Sequence, residues 1–333
     1  MPEPHFVPAS LEALLTLTER SHPPPIAGPA EAVWRHHLRA ANPLWQRVAA
    51  RPFAVTGPDG PRAHVMALVD RRLPGLGLVG FFACTDPEAG IRVLDEASAW
   101  LRDRFGLEAV YGPINGTITR DYRFNMAGDC QIPGEPVNPA FYPEVFEQAG
   151  FEVFNRYMSG RCVEYRPLVD FLRQIKPPPS ADYRLRPLGA GSPEADLRTY
   201  HRLMNQVFPA NSIYCPRISL AERRFNLGPR TSRFDPRYSY FLDDRGRSVG
   251  FVVGFVHRDE LVIKTLALLP SHRHLNLSTL LIERVHDQAA ADGLGAAIYS
   301  TVRAGNVVDR WDRPGVDVFR HYVTLRRDLR SGP

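Results

Sequence analysis

No two of the four cysteines stand close enough to make a metal-binding pair: Cys84, Cys130, Cys162 and Cys215 are widely spaced and no CxxC occurs. That argues against a zinc cluster or a disulfide framework and for plain reduced thiols. No apolar run reaches the roughly 18 residues of a bilayer span, so no membrane segment is expected. The opening "MPEPHFVPAS" lacks the basic and apolar regions of a secretory signal, and a cytoplasmic location is the expectation. A basic stripe is missing as well. The net charge of +5 and pI near 9.1 come mainly from arginines scattered along the chain. Nucleic acid is therefore not an expected partner, and an anionic small ligand accounts for the charge equally well.

What remains is ordinary globular protein, 44% hydrophobic and 23% charged over 333 residues, a size that suits two domains. The segment "QIKPPPSADYRLRP" (Gln174 to Pro187) holds three consecutive prolines and reads as a stiff spacer. It predicts domains at 1–175 and 181–333.

The two halves share one plan. In the first, "PFAV", "PDGPR" and "AHVMALVD" read as strand, turn and strand. "GLGLVGFFACT" follows as a third strand, then the helix Glu88 to Gly106, then the short buried strand "LEAVYG". In the second, "YSYFL", "DDRGR" and "SVGFVVGFV" repeat the opening. "LVIKTLALL", the helical "LNLSTLLIERVHDQAAADG" and "LGAAIYST" complete it. Leu94 to Gly106 and Leu281 to Gly293 have the same separation, and Tyr111 and Tyr299 fall in matching places. One order in both halves reads as a duplication. A meander followed by a right-handed strand–helix–strand crossover makes a mixed α/β sheet with helices on its faces.

This order resembles the GNAT superfamily, the Gcn5-related N-acetyltransferases, in tandem. The resemblance covers most of the chain. In the first half it is reinforced by "AFYPEVFEQAGFEVFNRYMSGRC", similar to the helix, Gly-Phe turn and final strand that end many GNAT domains. In the second half it rests on "LPSHRHLNLSTLL", a strand end, a basic loop and a helix start. GNAT proteins wrap a pyrophosphate in a loop of pattern Gln/Arg-x-x-Gly-x-Gly/Ala at a helix N-terminus, which is a ready anion site. The matching positions here are Arg273, Asn276 and Ser278, with asparagine in place of the first glycine because it tolerates a left-handed backbone. The loop is a degenerate copy. As a plain polar turn it would serve only to cap a helix.

The resemblance implies that Arg273, His274, Leu275, Asn276, Leu277 and Ser278 hold the donor's phosphates. It also implies that Leu266 and Leu268 flank the pantetheine arm and that Asn306 hydrogen-bonds it. The equivalent first-half loop, "TDPEAG", carries Asp86 and Glu88 and would repel a phosphate. The long loop Gly112 to Pro139 is a candidate functional loop or an insertion.

For proton transfer, the resemblance points to Glu260, at the start of the splayed strand, as base. It leaves Tyr299 or Tyr322 as the phenol nearest the leaving thiolate, because Arg313 and Pro314 occupy the family's tyrosine position. Cys215 is read as an ordinary thiol. Arg217, Arg233 and Arg237, with Tyr214, Phe234 and Tyr238, are expected to line the acceptor.

The expected activity is transfer of an acyl group from acetyl-CoA or a longer acyl-CoA to a small-molecule or peptide amine. A carrier protein's phosphopantetheine is the variant donor. Two other classes stay open: a non-catalytic ligand- or partner-binding protein, and a tRNA-dependent aminoacyl transferase.

Overall fold

The computed structural model describes residues 8–21, 34–118, 122–126, 132–175, 182–228, 234–305 and 315–330. Its contacts divide into two compact units. The first comprises Met1–Arg156, Tyr214–Pro216 and Tyr322–Pro333, and the second Tyr157–Ile213 and Arg217–His321.

The first unit runs α1 (Pro8–Ser21), β1 (Val48–Gly57), β2 (Gly60–Asp70), β3 (Leu76–Cys84), α2 (Pro87–Phe105), β4 (Ala109–Gly112), β5 (Phe124–Asn125), α3 (Tyr142–Gln148) and the start of β6 (Glu152–Cys162). β1, β2 and β3 form an antiparallel meander, and β4 adds to β3 in parallel through α2. Asp86 starts α2 by accepting a hydrogen bond from the Ala89 N–H at 3.0 Å, and Gly106 ends it at φ 63°. That angle is the left-handed conformation for which glycine costs least. Val93, Leu94, Ala97 and Leu101 recur at helical spacing and are buried with Val65, Ala67 and Val110 of the sheet. Each of the buried valines and leucines contributes about 1.5–3 kcal/mol of apolar burial.

The second unit runs from the end of β6 through α4 (Tyr165–Ile175), β7 (Tyr183–Pro187), α5 (Pro193–Val207), α6 (Leu220–Leu227), β8 (Tyr240–Asp244), β9 (Arg247–His257), β10 (Glu260–Leu268), α7 (Ser278–Ala291) and β11 (Ala296–Arg303) to the start of β12 (Val316–Asp328). Strands β7 to β10 form the meander, β11 joins β10 in parallel, and β6 closes the ladder antiparallel to β11. Both units therefore carry the strand, turn, strand, strand, helix, strand order read from the sequence.

Two departures matter for the site. The helix of the second half begins at Ser278, because Pro270–Leu275 winds as a 3₁₀ turn and Asn276 breaks it. The division between units falls inside β6 and β12 rather than in the proline spacer, of which 176–181 lie outside the described residues. Gln174 and Ile175 of the segment read as spacer still belong to α4, and the segment's end, Tyr183–Pro187, is strand β7. The signal of α4 was available: Leu168, Phe171, Leu172 and Ile175 recur at helical spacing.

Candidate functional site

β10 and β11 are partners only from Glu260↔Ala296 to Ile263↔Tyr299. Beyond that rung β10 keeps pairing with β9 as far as Leu268↔Gly250, while β11 keeps pairing with β6 as far as Arg303↔Tyr157. The two parallel strands thus part into a fork. A bulge between Ile263 and Thr265 marks its apex, and such an extra residue bends the strand that carries it. Leu266 is half-buried and Leu268 buried along the diverging arm.

The residues expected to form a phosphate loop, Arg273 to Ser278, follow at the open end of the fork. Asn276 takes φ 55° and ψ 23°, directly after the right-handed 3₁₀ turn. A right-handed then left-handed pair turns successive N–H groups toward one point, which is an anion nest. The next helix is capped by Leu277, whose side chain has no acceptor to offer its first N–H groups. Arg273 and His274 are exposed, Leu275 is 36% exposed, Ser278 is half-buried and Leu277 is fully buried. Six of the predicted cofactor residues therefore lie together at one helix start. Asn306 lies outside the described residues.

Local hydrogen bonds shape this mouth. The Asn276 side chain donates to the Leu172 carbonyl of α4 at 3.2 Å, and Arg173 of α4 pairs with Glu283 of α7. Arg273 Nε donates to the Leu268 carbonyl at 3.3 Å, and its Nη1 to Asn211 Oδ1 at 2.9 Å. Arg303, at the end of β11, donates to the Asn211 backbone oxygen at 2.5 Å. Two guanidiniums, one from the turn after β10 and one from the end of β11, therefore converge on one residue. Sequence reading missed Arg303, for which the chain offers no motif.

The first unit repeats the fork and fills it. β3 and β4 are partners from Leu76↔Ala109 to Leu78↔Tyr111, so Tyr111 and Tyr299 both mark the last rung. Past it, the Ile114 N–H donates to the Val79 carbonyl at 2.8 Å and the Phe81 N–H donates to Asn115 Oδ1 at 2.6 Å. Ile114 and Asn115 are 0% and 2% exposed. Gly80 permits the approach, since a Cβ there would lie 2.3 Å from the Ile114 oxygen. The beginning of the long loop thus occupies its own unit's fork. The start of α2 is also taken, by Asp86, which pairs with Arg62 at 2.7 Å.

The proton-transfer candidates are engaged by other side chains. Glu260 occupies the first, closed rung, about 13 Å along the strand from the bulge, and accepts a bond from Arg161 at 2.5 Å. Tyr299 is buried and shares a 2.9 Å hydrogen bond with His286 of α7. Burial holds that histidine's pKa down at about 4, so it is the neutral ring that meets the phenol. The Tyr322 hydroxyl donates to the buried Glu135 of the first unit. Of the acceptor-lining group, Arg233 is outside the described residues. Arg237 and Tyr238 bind Asp292 beyond the C-terminal end of α7, about 20 Å from its start. Tyr214 joins Asn155 and Thr324 in the first unit. Burial raises the Cys84 and Cys162 thiols to about 12 and 11, as inert core thiols require.

His64 behaves as His286 does. It is fully buried, donates Nδ1–H to the Phe81 carbonyl at 2.8 Å and is held at about 4 by burial. Between pH 6.5 and 4 the unfolded chain takes up protons that these folded histidines refuse. The stability they support is complete above pH 6.5 and is lost as pH falls toward 4, by up to about 3 kcal/mol per ring. Denaturant midpoints measured from pH 7 to 4.5 should fall accordingly, and less so in His286→Gln. A flat profile would refute the burial argument.

Comparison with known proteins agrees with this geometry. Residues 201–309, which include α6, β8 to β11 and the fork, match the acetyltransferase (GNAT) family. No curated protein matches the chain in sequence. A GCN5-related N-acetyltransferase from Sphaerobacter thermophilus is 16% identical with a TM-score of 0.52, over 98% of this chain and 95% of that one. A tandem GNAT protein from the clavulanic acid biosynthesis pathway is 13% identical at TM-score 0.53, over 98% and 96%. A GCN5-related N-acetyltransferase from Anabaena variabilis reaches 0.56 at 11% identity, over 97% of this chain and 71% of its own. At these identities the likeness is one of fold. Residues 201–309 thus match the GNAT family, and the chain as a whole shares the fold of these GNAT structures, a tandem one among them.

Proposed function

We propose that the protein is an N-acyltransferase that takes an acyl group from acyl-CoA, or from a carrier's phosphopantetheine, to an amine. The second unit, made mainly of 181–333, would bind the donor, and the first would keep the fold without the ligand. One observation carries this reading: of two forks with the same rungs, one is filled by its own chain and capped by an aspartate, while the other leads to a nest, an uncapped helix start and two converging arginines. An acyl-CoA thioester would supply a carbonyl open to attack by an amine.

The residues present suit such a donor. The nest at Asn276 and the first N–H groups of α7 would hold phosphate oxygens, with Arg273 and Arg303 adding charge. Beyond Ile263 the edge of β10 that faces β11 has no strand partner among the described residues and would offer backbone groups to an amide-bearing arm, as a further strand would. Leu266 and Leu268 would exclude water from it. At the apex the bulge would present its backbone to the reacting carbonyl. Glu260 lies at the closed end of the pairing, and Tyr299, though on the apex rung, turns its hydroxyl to His286; this favours a second reading, a protein that binds the donor without turning it over.

Titration calorimetry with CoA should show one site per chain, and incubation of acetyl-CoA with a panel of amines should release free thiol. Two sites, or none, would overturn the assignment of the forks. One site without thiol release would favour the non-catalytic reading.

A further inference from the structure

Only two of the 41 lysine and arginine residues are lysine, Lys176 and Lys264. Lys176 lies in the spacer, outside the described residues. Wherever the rest of this chain carries a basic side chain of this kind, it uses arginine. Lys264 is therefore a local exception, and its position is equally particular. It is the bulge residue of β10, between Ile263 and Thr265, at the rung where β10 and β11 part. It is half-buried, and its Nζ meets Ser300 Oγ on β11 at 3.3 Å, so the side chain reaches across the apex of the fork. Tyr299, one residue earlier on β11, turns toward His286 of α7. Alternation along a strand then places Ser300, with Lys264, on the opposite face of the sheet.

Lysine and arginine are not equivalent in such a place. A guanidinium is a wide planar fork, whereas an ammonium is a compact point charge whose three donors can serve more than one acceptor. Ser300 is 6% exposed, so the pair sits where water is partly excluded and a charge-assisted bond is stronger than at the surface. Thr265 and Leu266, also half-buried, continue from Lys264 along the arm of the fork. A ligand that enters at Asn276 and lies along Leu268 and Leu266 therefore ends at Lys264. A methyl group arriving there would gain nothing from an ammonium. An anionic group would gain most.

We propose that Lys264, positioned by Ser300 at the apex of the β10–β11 fork, selects acyl donors whose acyl group ends in a carboxylate. This rests on the donor-site reading above. Calorimetry on the full chain with CoA, acetyl-CoA and succinyl-CoA as probes separates the two. Succinyl-CoA should bind at least about tenfold tighter than acetyl-CoA, a gain in the range of one charge-assisted hydrogen bond. Lys264→Met should bring that ratio close to one while CoA itself still binds, and Lys264→Arg should restore part of it. Equal binding of the two thioesters by the wild-type protein, or a ratio unchanged in Lys264→Met, overturns the proposal and leaves the donor site standing. Failure to bind CoA at all overturns both. If Lys264→Met does not fold, the wild-type ratio decides alone.

Discussion

A fragment cut at the proline spacer, Tyr183 to Pro333, will not fold into a donor-binding unit. The second unit takes its closing strand from upstream of the spacer: Cys162 pairs with Ala297, Gly160 with Tyr299 and Met158 with Val302. Cys162 is also fully buried in the unit's core. Without β6, strand β11 becomes a bare edge carrying buried residues such as Ala297, Ile298 and Tyr299, and edges of that kind recruit other chains. The cut also removes α4, and with it the Arg173–Glu283 pair and the carbonyl that anchors Asn276. Each lost backbone bond costs about 0.5–1.5 kcal/mol, and the apolar burial adds to this, against a total stability of roughly 5–15 kcal/mol. The expected product is insoluble, or soluble without a cooperative thermal transition by circular dichroism. A fragment that melts cooperatively would show that β6 and α4 are dispensable.

Charge reversal at the loop is the second large effect. Arg273→Glu should weaken CoA binding by roughly 10- to 100-fold, about 1–3 kcal/mol. The wild-type guanidinium is exposed and is held at the fork mouth by the Leu268 carbonyl and the Asn211 side chain. A carboxylate there would face the nest and the Arg303 side rather than complete them. Because Arg273 is exposed, the fold should survive, and an unchanged far-ultraviolet spectrum is the control. Affinity of the parent should also fall with added salt more steeply than that of the variant. Unchanged affinity in a folded Arg273→Glu protein would remove the phosphate assignment, and the proposed donor with it.

Local chemistry was legible without coordinates. Asp86 and Gly106 bracket α2 because a side-chain acceptor and a left-handed residue satisfy its ends. Asn276 takes the left-handed backbone that its substitution for glycine called for. Alternating and apolar runs marked the repeated meander and crossover, and hence the mixed sheet. The difference between a basic loop and an acidic one was visible in Arg273 against Asp86 and Glu88.

Pairing between distant segments was not legible, since nothing local records it. A strand's residues show that it is a strand, but register with a partner decides which ladder it joins and which face each side chain takes. So the tertiary structure alone assigned the end of β6 to the second unit, turned Tyr299 onto His286 and tied Glu260 to Arg161 at the closed rung. It alone placed Ile114 and Asn115 inside the first unit's fork, where the long loop had read equally as a functional loop or an insertion. Arg303 and Lys264 gained their positions in the same way, because a fork exists only where two strands cease to pair.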